Sequence, residues 1–88
     1  MSTLCSFYRT ARGAEVDLLL QVPKHGLWAF EIKRSRAPSL SRGFYAACAD
    51  LSPAHRLLVY PGDGVYPIKP DVQVTPVWEA VRILRALS

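Results

Sequence analysis

Two short apolar segments on either side of a tight turn carry charged side chains at alternating positions, and this pattern most strongly constrains the fold of the 88-residue chain. The segments cover residues 13–22 and 27–33, and their charged members are Glu15, Asp17, Glu31 and Lys33. An ionised group that leaves water costs several kcal/mol unless it is paired or binds a metal. The pattern therefore predicts either an ion-pair network or a binding site.

We expect both segments to form β-strands, the second extending to Arg34, with a turn at residues 23–26. Because side chains alternate between the faces of a strand, each strand is predicted to have an apolar face and a charged face. The predicted charged faces consist of Glu15, Asp17 and Leu19 on the first strand, and of Ala29, Glu31 and Lys33 on the second. The predicted apolar faces consist of Val16, Leu18, Leu20 and Val22 on the first, and of Trp28, Phe30 and Ile32 on the second.

An antiparallel pairing of these strands can place Asp17 opposite Glu31 and Glu15 opposite Lys33. This register requires a connecting loop with an odd number of residues, or a bulge. Partners of this kind have Cβ atoms about 4.5–5.5 Å apart. The hairpin would then gather all four charged side chains on one face.

Two interpretations of this charged face follow from the residues. In the first, Asp17 and Glu31 bind Mg²⁺ or Mn²⁺ with waters and a phosphate, and Lys33 orients the attacking water or neutralises developing charge. In the second, the face is a ladder of ion pairs that joins Glu15 to Lys33 and Asp17 to Arg34 or Arg9. The residues alone leave both interpretations open.

Basic residues cluster directly after the second charged strand. Lys33, Arg34, Arg36 and Arg42 fall within ten residues, and the formal net charge is +4. A basic patch beside carboxylates is typical of a site that holds a polyanion against a metal, although arginines that only keep a small domain soluble give the same pattern. We predict that Arg9, Arg34, Arg36 and Arg42 contact phosphates.

The remaining sequence predicts short elements separated by turns. Ser39 or Ser41 can cap a helix that runs to about Leu51, because Pro38 prevents an earlier start. Thr75 and Pro76 predict a second helix start, with Val77, Val81 and Leu84 on its buried face and Leu87 as a further candidate. The predicted strands in the rest of the chain are Leu4 to Thr10, His55 to Tyr60, and one or two strands in Val65 to Val74, where Pro67 and Pro70 suit a sheet edge. The predicted order is β-β-β-α-β-β-α, a mixed sheet with helices against it.

Size and composition predict one small domain, residues 1–88, whose stability would benefit from a partner or a second copy. We expect a cytoplasmic protein, since no apolar run approaches the roughly 20 residues of a membrane span and no signal-peptide core is visible. Cys5 and Cys48 have neither metal-site nor disulfide-framework spacing, and we assign them no chemistry.

Asp17 followed by Glu31-Ile32-Lys33 resembles the D…E-x-K signature of the restriction-endonuclease-like (PD-(D/E)XK) superfamily, which includes archaeal Holliday-junction resolvases. Segments 7–10, 13–17, 31–35 and 38–44 together resemble a C-terminal domain that follows an AAA+ ATPase module in many bacterial and archaeal proteins. Nearly the whole chain is covered. The chain departs from the superfamily because it begins almost at the first strand, without the usual preceding helix.

This resemblance implies a restriction-endonuclease-like α/β (α+β) fold with Asp17, Glu31 and Lys33 at the site and Glu15 as an accessory acid. It implies a Mg²⁺-dependent phosphodiesterase acting on DNA or, alternatively, a catalytically silent docking or oligomerisation domain of an ATPase-associated system. The expected partners are DNA, an AAA+ ATPase module and a second copy of the chain. No phosphate-binding loop of the G-x-x-x-x-G-K-[ST] type occurs here, so ATP hydrolysis is not expected of this chain.

Overall fold

The computed structural model describes residues 4–69 and 71–87. Within these residues the chain forms six β-strands and two α-helices. In chain order the elements are β1 (Leu4–Arg9), β2 (Glu15–Val22), β3 (Gly26–Ile32), α1 (Arg42–Leu51), β4 (His55–Tyr60), β5 (Tyr66–Lys69), β6 (Val72–Pro76) and α2 (Val77–Leu87).

The strands form one mixed sheet with the order β1-β2-β3-β4-β6-β5. The pairs β3–β4 and β4–β6 are parallel, and the other three pairs are antiparallel. The last residues of β3, β4 and β6 therefore lie together at one end of the sheet, which we call the carboxyl end. The last residue of β1 and the first residue of β2 lie at the same end, because Arg9 pairs with Glu15. The predicted mixed sheet with flanking helices is confirmed.

Each helix covers a different part of the hydrophobic core. Helix α1 packs through Phe44, Ala47 and Cys48 on a cluster that also contains Ala14, Val16 and Ala29. Helix α2 packs through Ala80 on a second cluster formed by Leu20, Val22, Phe30, Leu57 and Val59. Because Ala29 and Phe30 are neighbours on β3 and point to opposite faces, the helices lie on opposite faces of the sheet.

Strand β2 contains a bulge that the alternation pattern did not predict. Between Ser6 and Tyr8 of β1, the paired residue on β2 changes from Leu19 to Val16, so β2 has one extra residue there. As a result, Val16 packs with Leu19 on the α1 face, whereas Leu18 packs on the α2 face. The prediction that Val16 and Leu18 share a face was wrong, because the extra residue shifts the alternation.

The hairpin between β2 and β3 has the predicted register. Leu18 lies opposite Phe30 and Val22 opposite Gly26, so three residues, 23–25, form an odd loop. His25 donates its N–H to the Val22 carbonyl over 3.0 Å, and Lys24 has a φ of 70°. A positive φ at the residue after Pro23 is what a type II turn requires.

The C-terminal third contains one strand more than the predicted order β-β-β-α-β-β-α, and its last helix begins differently. Residues 65–74 contribute to two strands, β5 and β6, rather than the one in that order. Pro67 lies in the edge strand β5 as expected, whereas Pro70 lies outside the described residues. Thr75 does not cap α2: its hydroxyl donates to the Gln73 carbonyl, and Pro76 still pairs with Tyr60 in the sheet. Pairing of β6 with β4 thus continues through the expected helix start.

The buried face of α2 is also shifted from the one predicted. Val77 and Val81 are exposed, whereas Ala80, Ile83, Leu84 and Leu87 pack on the sheet. Helical spacing shows which residues share a face, but α2 has two adjacent apolar faces, one with Val77 and Val81 and one with Ala80 and Ile83. Only contact with the sheet determines which of the two is buried. In the part of the chain that the structure describes, neither helix has the length and apolar character needed to cross a membrane.

Candidate functional site at the carboxyl end of the sheet

The end of β3 positions Glu31 and Lys33. Glu31 lies on the α1 face and is only 6% exposed, which is unusual for a carboxylate. The backbone N–H of Lys33 donates to the Val59 carbonyl over 2.8 Å and thereby continues the parallel pairing with β4. The Lys33 ammonium lies 3.1 Å from Glu31 Oε1. Glu31 thus has one cationic partner on its own strand, which offsets part of the cost of its burial.

A second contact to Glu31 comes from the start of α1. The backbone N–H of Ser41 donates to Glu31 Oε2 over 3.3 Å. Ser41 is also the N-cap of α1, and its hydroxyl accepts from the Phe44 N–H over 3.1 Å. The helix start and the carboxylate are therefore linked through one residue.

Asp17 lies at the bulge of β2, where β2 and β3 stop pairing. Asp17 Oδ2 accepts the Ile32 N–H over 2.8 Å. The carboxylate thus replaces a backbone carbonyl of the neighbouring strand, because the regular ladder ends at Leu18 and Phe30. The predicted direct pairing of Asp17 with Glu31 does not form, since the bulge displaces Asp17 and β3 continues along β4.

Glu15 opens β2 at the same end of the sheet, and its carboxylate lies 3.4 Å from the guanidinium of Arg9. Both side chains are largely exposed. The predicted pairing of Glu15 with Lys33 was wrong, because Lys33 is held by Glu31 on its own strand. The predicted ion pair of Asp17 with Arg34 or Arg9 was also wrong: Asp17 accepts a backbone N–H instead, and Arg9 pairs with Glu15.

The structure nevertheless brings all four charged residues to one small cavity. This cavity has a volume of about 240 Å³ and is lined by Glu15, Asp17, Glu31, Ile32, Lys33 and Ser41. We call it the acidic pocket. One water occupies roughly 30 Å³ of liquid volume, so the acidic pocket has room for a phosphate group with a few waters. The catalytic and metal-binding roles of these residues stay predictions.

The donor set can be compared with what divalent cations require. Among residues 4–69 and 71–87, no group of three or more His, Cys, Asp and Glu side chains forms a ready-made metal cage. Mg²⁺ usually keeps several waters and binds through one or two carboxylates plus substrate phosphates. Carboxylate oxygens together offer about four lone-pair positions, so the contacts of Asp17 and Glu31 leave acceptor capacity at both groups. The two residues thus fit Mg²⁺ better than a metal that needs a complete protein cage.

The four arginines predicted to contact phosphates surround the acidic pocket without lining it. Arg9 ends β1 beside Glu15, and Arg42 is the first residue of α1. Arg34 and Arg36 lie in the connection between β3 and α1. All four are exposed, so their guanidinium groups are accessible to a ligand that passes over the carboxyl end.

Sequence reasoning missed the contributions of two residues of the α1 start. Ser41 was expected only as a cap, yet its N–H contacts Glu31. Gly43 was assigned no role, yet a side chain there would collide with the Gly13 carbonyl. The closeness of a helix start to an E-x-K strand is a signal that could have directed attention to both.

A larger cavity, of about 420 Å³, lies near the opposite end of the sheet beside the rings of Trp28 and His55, whose centroids are 3.9 Å apart. It also contains the ion pair between Arg56 and Asp71. The Trp28 indole N–H is buried and has no hydrogen-bond partner among the described residues. Among the described residues that line this cavity, Asp71 is the only acidic one, whereas three carboxylates line the smaller acidic pocket.

Two titratable groups on the α1 face have shifted pKa values. Burial raises the pKa of the Cys48 thiol, which therefore stays protonated and unreactive near neutral pH. Desolvation, together with a 3.2 Å hydrogen bond to Asp50, raises the pKa of Tyr8. Neither group lines the acidic pocket.

Comparison with known proteins identifies relatives over most of the chain. Residues 2–80 match the family described as domain of unknown function DUF4143, which is usually found with AAA ATPases. The chain is 37% identical over 70 residues to the uncharacterized proteins Rv2008c of Mycobacterium tuberculosis and Mb2031c of Mycobacterium bovis. This match covers 80% of the chain but only 16% of each relative. No solved structure matches the chain significantly.

Proposed function

We propose that this chain, which belongs to the DUF4143 family, is a magnesium-dependent phosphodiesterase domain that acts on DNA. The observation that carries the proposal is the convergence of Glu15, Asp17, Glu31 and Lys33 on one pocket at the carboxyl end of the sheet. Glu31 is only 6% exposed and has Lys33 beside it, and a buried carboxylate with a charged partner in a cleft is a candidate for a functional site. The placement of the D…E-x-K residues in this pocket also supports a relationship to the PD-(D/E)XK nucleases.

Each residue would have a definite role in this reaction. Asp17 and Glu31 would hold the cation, and Glu15 would assist through a bound water. When bound, Mg²⁺ would polarise the phosphate and lower the pKa of a coordinated water. The Lys33 ammonium would orient the attacking water or neutralise charge that develops on the phosphoryl oxygens. The Lys33 side chain is partly buried. Its attraction to charge on the phosphoryl oxygens is therefore stronger, because a less polar environment screens the attraction less.

The charge around the pocket favours a polyanionic substrate. Arg9, Arg34, Arg36 and Arg42 would contact phosphates on both sides of the bond that is cleaved. The pocket itself is smaller than the roughly 300–1,000 Å³ typical of sites that enclose a small-molecule ligand. A phosphodiester of a polymer that lies across the surface fits these dimensions better than an enclosed nucleotide.

Cleavage of supercoiled plasmid and of branched DNA tests this function. We expect cleavage with Mg²⁺ or Mn²⁺, and a loss of roughly 100-fold or more in Lys33→Ala and Asp17→Asn. Glu79→Gln, which changes a carboxylate on α2 away from the pocket, is the matched control and should cleave like the unaltered chain. Equal rates in all variants, or cleavage without metal, would overturn the proposal.

A second candidate function is a catalytically silent domain that docks onto an AAA ATPase module. It is favoured by exposed apolar side chains on the α2 face: Val77 is 53% exposed, Trp78 59%, Val81 42%, and Ile32 at the end of β3 55%. Val77, Trp78 and Val81 are neighbours on the helix surface by their spacing, and adjoining exposed apolar residues mark protein interaction sites. The frequent presence of AAA ATPases beside DUF4143 domains suggests the partner.

Sedimentation of the chain with an AAA ATPase module from a DUF4143 protein tests docking. We expect Trp78→Ala to weaken the complex about tenfold or more, because buried tryptophans often dominate interface energies. Val65→Ser, which alters an exposed apolar residue elsewhere, is the control. Self-association that Trp78→Ala abolishes would assign the surface to a second copy, and a chain that stays monomeric without binding the module would contradict docking.

A further inference from the structure

We infer that the first turn of α1 sets the positions of two pocket carboxylates, with Gly43 positioning Glu15 and Ser41 positioning Glu31. The inference rests on the proposed function for its consequence, because it concerns the geometry of the metal-binding groups. It assigns to two residues of α1 and its cap a role that acts through these carboxylates. Both are therefore positioning residues.

Gly43 allows α1 to pack directly on the backbone that leads into Glu15. A Cβ atom added at Gly43 would lie 2.6 Å from the Gly13 carbonyl oxygen, a distance that real Cβ atoms do not adopt. It would also lie 3.5 Å from both the Cβ and the backbone nitrogen of Glu15. Any side chain at position 43 must therefore displace α1 from this backbone, or displace the start of β2.

The backbone that Gly43 contacts has little freedom to adapt. In the loop before β2, the Thr10 N–H donates to the Ala14 carbonyl over 3.0 Å, and the Ala14 N–H donates to the Thr10 hydroxyl over 3.1 Å. Ala14 is also part of the core on the α1 face. Because both sides of the contact are held, an added methyl group would shift Glu15 relative to the helix.

Ser41 links the same helix turn to Glu31. Its N–H donates to Glu31 Oε2 over 3.3 Å, while its hydroxyl caps the Phe44 N–H. Phe44 is in turn almost completely buried in the core. The position of Glu31 is thus coupled to the packing of α1 through a backbone group that no side-chain substitution except proline removes.

The first test compares Gly43→Ala with Ala46→Gly. Helix propensity favours alanine over glycine, so a purely helical effect would stabilise Gly43→Ala and destabilise Ala46→Gly, which alters an exposed residue of the same helix. We expect Gly43→Ala to weaken Mn²⁺ binding about 10- to 100-fold, as is typical of residues that orient ligands. Ala46→Gly should lower the melting temperature without changing Mn²⁺ affinity. Unaltered Mn²⁺ affinity in Gly43→Ala would overturn the role of Gly43.

The second test compares Ser41→Pro with Ser41→Ala. Ser41 has a φ of −78°, which a proline ring accommodates. Both variants lose the capping hydroxyl, but only proline also loses the N–H to Glu31. We expect Ser41→Pro to bind Mn²⁺ at least about tenfold more weakly than Ser41→Ala. Equal affinities of the two variants would overturn the role of Ser41.

A measurement without metal separates this inference from the proposed function. In NMR spectra of the metal-free chain, Glu31→Gln should shift the Ser41 amide resonance, and Gly43→Ala should shift the amide resonances of residues 13–15. Absence of these shifts would contradict the positioning roles. If the unaltered chain binds no Mn²⁺ but the shifts occur, the proposed function fails while the structural coupling stands.

Discussion

Helices α1 and α2 have similar lengths but different relations to the sheet. Helix α1 is capped by Ser41 and buries Phe44, Ala47 and Cys48 against the sheet. Helix α2 buries only Ala80 fully and leaves Val77, Trp78 and Val81 exposed. An amphipathic pattern alone therefore does not say which residues of a helix pack on the sheet: α1 packs on the small residues Ala14 and Ala29, whereas α2 packs mainly through half-buried side chains, Ile83, Leu84 and Leu87.

The close approach of α1 has a functional consequence. Ala14 and Ala29 lie beneath α1, and Gly43 contacts backbone directly, so the start of the helix reaches the carboxyl end of the sheet. The exposed residues of α2 include the apolar Val77, Trp78 and Val81 as well as Arg82 and Arg85, and none of the described residues of α2 lines the acidic pocket. We therefore associate the α1 face with the chemistry of the pocket and the α2 face with partner binding.

The difference between the two helices should be greatest in the free energy of unfolding. Phe44→Ala should lower the free energy of unfolding by about 3–5 kcal/mol, because it removes a fully buried aromatic ring and leaves a cavity. Trp78→Ala should change it by no more than about 0.5 kcal/mol, because the indole is largely exposed. Urea unfolding of both variants measures the difference. Equal losses would show that α2 contributes as much to the core as α1.

A smaller effect is expected from the pocket residue that replaces a strand partner. Asp17→Ala should lower the free energy of unfolding by about 1–2 kcal/mol, because the Ile32 N–H loses a charged acceptor at 2.8 Å. The same urea experiment measures it. Comparison with Phe44→Ala then separates the contribution of Asp17 to the free energy of unfolding from the contribution of α1.

Asp17→Asn is the control for this prediction. Its amide oxygen can still accept the Ile32 N–H, so we expect a loss below about 0.5 kcal/mol. An Asp17→Asn variant as unstable as Asp17→Ala would mean that the charge, rather than the hydrogen bond, stabilises the end of β3.

Local signals explain which parts of the fold the sequence predicts. A turn near residues 23–26 follows from Pro23 and Gly26, and a register that aligns the charged residues requires an odd loop or a bulge. The α1 limits follow from Pro38, from Ser39 or Ser41 as the cap, and from apolar spacing. The β2 bulge was not predictable in this way, because it depends on how β1 pairs with β2. The start of α2 was also missed, since pairing of Pro76 with Tyr60 outweighs the local capping preference of Thr75.

The same distinction holds for the candidate site. Alternation on two neighbouring strands was sufficient to predict that Asp17, Glu31 and Lys33 lie near one another. It did not predict their partners, because those depend on the bulge at Asp17 and on the position of the α1 start. The contribution of Gly43 was missed because a close contact between helix and loop is a tertiary feature without a local pattern.

The weakest effect concerns the ion pair on α2, in which the Arg82 side chain is 66% exposed and the Glu79 side chain 15%. The Arg82 guanidinium donates to Glu79 Oε2 over 2.8 Å, and this hydrogen bond, strengthened by their charge attraction, holds the pKa of Glu79 below its ordinary value of 4.5. Since the folded chain binds the proton more weakly than the unfolded chain, the stabilisation is complete above about pH 4.5 and is lost as the pH falls through the folded pKa. The stability advantage over Glu79→Gln should therefore shrink when urea unfolding is repeated from pH 7 to pH 3. An advantage that stays constant or grows in acid would show that the ion pair is not formed in solution.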